Sequence, residues 1–163
     1  MTIRPILRWP DPRLAMKCLP AAVDDGTLTL ARDMLETMYA AQGRGLAAPQ
    51  TGVLTRVFVM DSTWKSGPST PETFINPEIL WRSDDLVTAP EGCLSIKAVL
   101  ADIARATEII LCWTLPDGSL NAERLKGFRA ICAQHEIDHL DGILMFDHLA
   151  PEARATAQAE AQI

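Results

Sequence analysis

His135 and His139 stand four residues apart, with Glu136 directly after the first and Asp138 directly before the second. On a helix this spacing roots both imidazoles on one face, about 5–6 Å apart, so that two ring nitrogens can converge on one cation. Glu136 can then reach a water held by that cation and take its proton. The same residues also fit a helix carrying two ordinary histidines beside a solvated acidic pair, and so short a motif does not separate the two readings.

Two further segments bear on the choice. In Glu91-Gly92-Cys93-Leu94-Ser95 a cysteine far from the histidines in sequence offers a third donor, and Gly92 permits close backbone approach. Cys93, His135 and His139 together would leave a coordination position open, as catalytic rather than structural sites do. The competing reading makes Cys93 one more buried thiol. The segment Gly43-Arg44-Gly45-Leu46-Ala47-Ala48-Pro49-Gln50-Thr51-Gly52 is too glycine-rich for a core helix and too apolar for a plain linker. It exposes backbone N–H and C=O groups and adds the neutral donor Gln50, the parts needed to grip a peptide and stabilise an oxyanion. It lacks the Lys-Ser/Thr ending of a phosphate loop. A tight turn would explain its glycines but not Gln50.

Positioning these groups requires several elements. Leu28, Ala31, Met34, Leu35 and Met38 recur at helical spacing and predict a helix over 27–41, with Asp24, Asp25 and Thr27 as caps. Strands are expected at 56–60, 73–76, 79–83, near Cys93 and at 107–115, the last turning at Pro116-Asp117-Gly118-Ser119. The proline-punctuated opening reads as extended, and residues 62–73 as a surface loop. A second helix is predicted over 123–140, with Gly142 as its stop. On it Phe128, Ile131, Cys132, His135 and His139 share a face, so an apolar stripe runs into the histidines. Strands gathered between two helices, without regular alternation, predict an α+β fold. We expect a single compact domain over 1–163, with short antiparallel or mixed sheets around the central His-Glu-Ile-Asp-His helix, and residues 150–163 as a short terminal helix or tail.

Composition narrows the function classes. A hydrophobic fraction of 48% is that of an ordinary globular chain, while a net charge of −6 argues against nucleic acid as the main partner. The start shows no export signal, and the apolar run around Ile109-Ile110-Leu111-Cys112-Trp113 is too short to span a bilayer. The four cysteines lack compact disulfide spacing, which favours reduced thiols in a cytoplasm. Cys18 and Cys112 read as packing residues, Cys132 as packing or pocket, and His148 as a surface histidine.

Gly43 to Gln50, Glu91 to Ser95 and Gln134-His135-Glu136-Ile137-Asp138-His139 resemble, in order and separation, the three signature motifs of the peptide deformylase family. The similarity extends to Trp9-Pro10-Asp11-Pro12-Arg13-Leu14, Ile75-Asn76-Pro77-Glu78-Ile79 and Leu140-Asp141-Gly142-Ile143-Leu144, and so spans nearly the whole chain up to about Leu149. The resemblance implies a divalent-metal hydrolase that removes the formyl group from the N-terminal formyl-methionine of new polypeptides. It implies Cys93, His135 and His139 as ligands, Glu136 as acid–base, and the Gln50 side chain and Leu94 N–H as donors to the formyl oxygen. It also implies Fe(II), with Zn, Ni or Co as substitutes, although affinity order alone would favour Zn. Gly43, Arg44, Gly45, Leu46, Gly92, Phe128, Ile131 and Cys132 are expected to contact an N-formyl-methionyl peptide. Neither nucleic acid nor membrane is expected as a partner, and the charge distribution gives no sign of ribosome contact.

Four positions depart from the family's pattern, one of them His148, which replaces a commonly basic arginine after the helix. Arg44 replaces a small aliphatic residue near the methionine pocket, where a guanidinium either points to solvent or narrows the pocket. Lys97 and Leu100 stand where proline and arginine are common. Glu91 and Arg105 resemble a family ion pair. Three alternatives remain open: a hydrolase of another N-acyl amine, motivated by Arg44 and Leu100; a silent peptide-binding homologue; and a zinc peptidase. The last accounts for neither Gln50 nor Cys93.

Overall fold

The computed structural model describes residues 2–161. Helix α1 (Asp25–Ala40) begins where Asp24 accepts a hydrogen bond from the Thr27 N–H at 2.8 Å. It buries Leu30, Ala31, Met34 and Met38 against a five-stranded sheet. That sheet contains β1 (Gly45–Ala47), β2 (Val57–Met60), β3 (Glu72–Arg82), β6 (Glu108–Thr114) and β7 (Leu120–Lys126), in the order β1-β2-β3-β6-β7. All four residues of β2 are fully buried because both its faces are covered. Val57 and Val59 join the α1 core, while Phe58 and Met60 join the core under helix α2 (Gly127–Leu140).

The remaining strands, β4 (Leu86–Cys93) and β5 (Ile96–Ala106), form a separate antiparallel hairpin. Along β5, buried Val99, Ala101, Ile103 and Arg105 alternate with exposed Leu100, Asp102 and Ala104. Part of the buried face packs against Met145, Phe146 and Ala157, the last from helix α3 (Pro151–Glu160). Arg105 is an inward-facing cation that needs anionic partners. Among the described residues no helix is long and apolar enough to cross a membrane.

The α+β class stands; among the described residues every strand pairs antiparallel, and the one parallel contact is the isolated Leu19–Thr55 bridge. Three local expectations need correction. Residues 123–126 belong to β7, not to the long helix, which begins at Gly127 with φ +56°. Glu, Arg and Leu favour helix intrinsically, but the turn at 116–119 returns this segment alongside β6. There Leu125 is buried, and Arg124 and Lys126 pair with Glu108 across the strands. The strands expected at 73–76 and 79–83 are one strand, β3, with irregular register at Asn76-Pro77. Asn76 (φ +51°) exchanges two hydrogen bonds with the Ala21 backbone, at 2.7 and 2.9 Å, so the chain bends without breaking. The opening contains a short 3₁₀ turn, Pro12–Ala15, capped by Asp11. The C-terminal helix is present as α3; residues 162–163 of that expectation lie outside the described residues.

Candidate metal centre and active site

Helix α2 is held in place by its apolar side. Ala130, Ala133, Ile137 and Leu140 sit in the sheet core. Gln134 clasps the end of β5, donating to the Ala106 carbonyl at 2.9 Å and accepting from the Ala106 N–H at 3.2 Å. These contacts fix the rotation of the helix and turn its histidines toward the β4–β5 hairpin. Cys93, at the end of β4, meets them there: the donor atoms of Cys93, His135 and His139 all lie within 4.8 Å of one another. Cys93 Sγ is 3.3 Å from His139 Nε2.

The surroundings orient these donors. His135 Nδ1 lies 3.0 Å from Glu91 Oε2, which leaves Nε2 available to a cation. Glu91 receives two hydrogen bonds from Arg105, at 2.9 and 3.0 Å, and Arg105 also donates to Asp138 at 2.5 Å. Asp138 in turn meets His148 Nε2 at 2.7 Å, so the surface histidine closes a chain of polar contacts reaching His135. Burial favours the neutral forms of these groups, but their mutual contacts prevail. The Glu91 carboxyl is held at about 2 by His135 and Arg105 despite its burial. The Cys93 thiol likewise falls well below its usual range, because the two imidazoles outweigh desolvation.

Glu136 is different. It is 4% exposed, and its carboxyl is pushed up to about 7 mainly by desolvation, against the pull of His135 and His139. A side chain on Gly45 would reach within 2.8 Å of its Cδ, so the carboxylate rests directly against that glycine. Glu136 Oε2 and His139 Nδ1 are buried with no hydrogen-bond partner among the described residues. A buried carboxylate oxygen left bare beside a thiol and two imidazoles fits a site built for a cation and the water it holds.

A cavity of about 730 Å³ opens onto this group. Gln50 reaches it from the 3₁₀ turn after β1. Its Oε1 accepts from the Ala47 N–H at 2.9 Å, and its Nε2 donates to Ser95 Oγ at 3.1 Å and to Cys93 Sγ at 3.5 Å. Gly43, Arg44, Gly45, Gly92, Leu94, Phe128, Ile131 and Cys132 all line the cavity. Leu46, expected to contact substrate, is not among the residues that line it. Strand alternation sends its side chain to the opposite face, wholly buried in the α1 core, while Gly45 faces Glu136. The guanidinium of Arg44 lies 4.9 Å above the Phe128 ring at the cavity edge, the pocket-side alternative of the two.

Several supporting residues escaped the sequence reading. Ser95 is 1% exposed and anchors Gln50. Trp64 Nε1 donates to the Gly43 carbonyl at 2.9 Å, steadying the glycine segment from the 62–73 loop. Gln134 and the Asp138–His148 contact belong with them. Arg105 was legible only through its resemblance, with Glu91, to a family ion pair; the strand that carries it, β5, was not expected.

Comparison with known proteins converges on one family. A family model described as polypeptide deformylase matches residues 3–155. A peptide deformylase of Agrobacterium fabrum is 46% identical over 151 residues, covering 92% of this chain and 89% of the relative. One from Phenylobacterium zucineum is 45% identical over 158 residues, covering 96% and 94%. The crystal structure of peptide deformylase from Ehrlichia chaffeensis in complex with actinonin superposes with a TM-score of 0.93 at 34% identity, covering 99% of this chain and 97% of that one.

Proposed function

Because this chain belongs to the polypeptide deformylase family, a family of metal-dependent hydrolases, we propose that Cys93, His135 and His139 are its metal ligands and Glu136 its acid–base. The reaction is hydrolysis of the formamide bond at the N-terminal formyl-methionine of nascent polypeptides, releasing formate. The observation that carries the assignment of roles is the convergence of one sulfur and two imidazoles beside a buried carboxylate oxygen without a partner among the described residues.

A divalent cation bound there supplies Lewis acidity, which brings a water's proton within reach of a base at neutral pH. Fe(II) is our assignment for the native ion, with Zn, Ni or Co able to take its place; the thiolate tempers the Lewis acidity and widens the choice. The protein's own groups do the rest. Glu136 takes the proton from the attacking water and delivers it to the nitrogen as the C–N bond breaks, because an amide ion is too basic to depart. Gln50 Nε2–H and the Leu94 N–H donate to the formyl oxygen as negative charge gathers on it. Gly43, Arg44, Gly45 and Gly92 border the peptide backbone, and Phe128, Ile131 and Cys132 wall the methionine side chain. We place the enzyme in the cytoplasm, where its substrates emerge.

Formate release from a short formyl-Met peptide tests the reading, after anaerobic loading with Fe(II) or with Ni(II). Turnover is expected with either ion. A fully metal-loaded protein that releases no formate would refute it.

A further inference from the structure

The side chains around the cavity mouth have a charge opposite to that of the molecule. Three basic residues line it, Arg8, Arg44 and Lys97, although the chain carries a net charge of −6. The two carboxylates in the lining are both spoken for: Glu91 is buried against Arg105 and His135, and Glu136 is buried beside the metal ligands. Among the described residues, none of the three cations is in an ion pair. Arg8 is already committed to the Leu94 carbonyl. The Arg44 guanidinium carbon lies 4.9 Å over the Phe128 ring, a contact that leaves N–H groups to donate elsewhere. Lys97 is exposed at the start of β5.

From this we propose that Arg44, with Lys97, is a specificity-determining residue that favours formyl-methionyl peptides bearing a carboxylate side chain in the two residues after methionine. The inference rests on the deformylase reading of the same site. A formylated peptide has no N-terminal charge, so downstream side chains supply the charge that this rim can read. An acidic residue gains an attraction that a lysine converts to repulsion. The neighbouring cavity wall is apolar at Ile131 and Phe128, and partial dehydration strengthens the pairing. Phe128 holds the guanidinium over the rim, so that less side-chain freedom is lost when the contact forms.

The test compares C-terminally amidated formyl-Met-Ala-Ala, formyl-Met-Glu-Ala, formyl-Met-Ala-Glu and formyl-Met-Lys-Ala, so that only side chains differ in charge. For the wild type, kcat/KM for the better acidic peptide should exceed that for the neutral one by about three- to fivefold, the size of one exposed ion pair. The lysine peptide should fall below the neutral one. The gain should reside in KM and shrink between low and high salt. In Arg44→Gln the acidic-to-neutral ratio should fall toward one. Being a ratio, it is unaffected by any general loss of activity. Equal rates across the set would overturn the proposal, and so would a preference indifferent both to salt and to Arg44→Gln. If no peptide of the set were hydrolysed, the catalytic reading would fail separately. Calorimetric binding of Met-Glu-Ala and Met-Lys-Ala amides would then still decide whether the rim discriminates.

Discussion

Glu136 packs against Gly45 so closely that no side chain fits between them, and each residue makes a prediction. Glu136→Gln keeps the shape but removes the proton acceptor. We expect a fall in kcat of about 10²–10⁴-fold or more, with metal content per chain unchanged by elemental analysis. Loss of the metal as well would show that Glu136 serves the site structurally. Gly45→Ala tests position rather than chemistry. The added methyl collides with the Glu136 carboxylate, which must swing away. A displacement of about 1 Å costs on the order of 10²-fold in rate, so kcat should drop while the circular dichroism spectrum stays native. These two residues were not equally legible. Glu136 announced itself by standing between two histidines, whereas the role of Gly45 against it exists only once β1 and α2 are packed together.

At the scale of elements, the loop after β2 shows how a segment without regular structure is made rigid. Asp61 is fully buried and accepts hydrogen bonds from Tyr39 (2.7 Å), Ser69 (2.6 Å) and the N–H groups of Thr63, Trp64 and Thr70. Burial alone would raise its carboxyl, but the hydrogen bonds prevail and hold it below the ordinary carboxylate range. A group whose folded-state pKa is depressed stabilises fully above its unfolded value, about 3.9, and loses that contribution as pH falls through the folded value. Acidification below about pH 4 should therefore loosen this loop, seen as a change in Trp64 fluorescence, ahead of or together with global unfolding. In Asp61→Asn the acid-sensitive component should vanish, with a loss of about 1–3 kcal/mol at pH 7 by urea titration. An unchanged acid profile in that variant would mean that other carboxylates govern the transition. Because Trp64 holds the Gly43 carbonyl, this loop also steadies one edge of the cavity.

Across the whole molecule, the site lies on a seam. Cys93 belongs to the β4–β5 hairpin, His135 and His139 to the helix that packs on the five-stranded sheet, and Gln50 to the turn after β1. A cation bound there would add one more tie between units already joined by Glu91–His135, Arg105–Asp138, Gln134–Ala106 and Gln50–Ser95. Chelation should lower the melting temperature, and restoring the ion should raise it with concentration according to RT ln(1 + [L]/Kd). A melting temperature indifferent to metal would place the ion elsewhere. The same seam is crossed by Arg105, 5% exposed and paired with both Glu91 and Asp138. Arg105→Met leaves buried Glu91 and half-buried Asp138 with only their histidine partners, for an expected cost of about 3–5 kcal/mol in urea unfolding of the metal-free protein.

Read alone, the sequence determined whatever depends on local spacing. The His135–His139 pair, the α1 apolar stripe, the turn at 116–119 and the α+β class all follow from periodicities of a few residues, which the chain carries intact at any stage of folding. The candidate ligand from Cys93 was also legible, through its motif rather than its distance. Tertiary structure decided the rest. It assigned residues 123–126 to a strand because β6 offered a partner, and turned Leu46 into the core because Gly45 faces Glu136. It drew Arg105, Asp138 and His148 into one polar chain, and laid Arg44 across Phe128. Each of these depends on which surface another part of the chain presents, and pairing over such separations leaves no periodic mark in either segment.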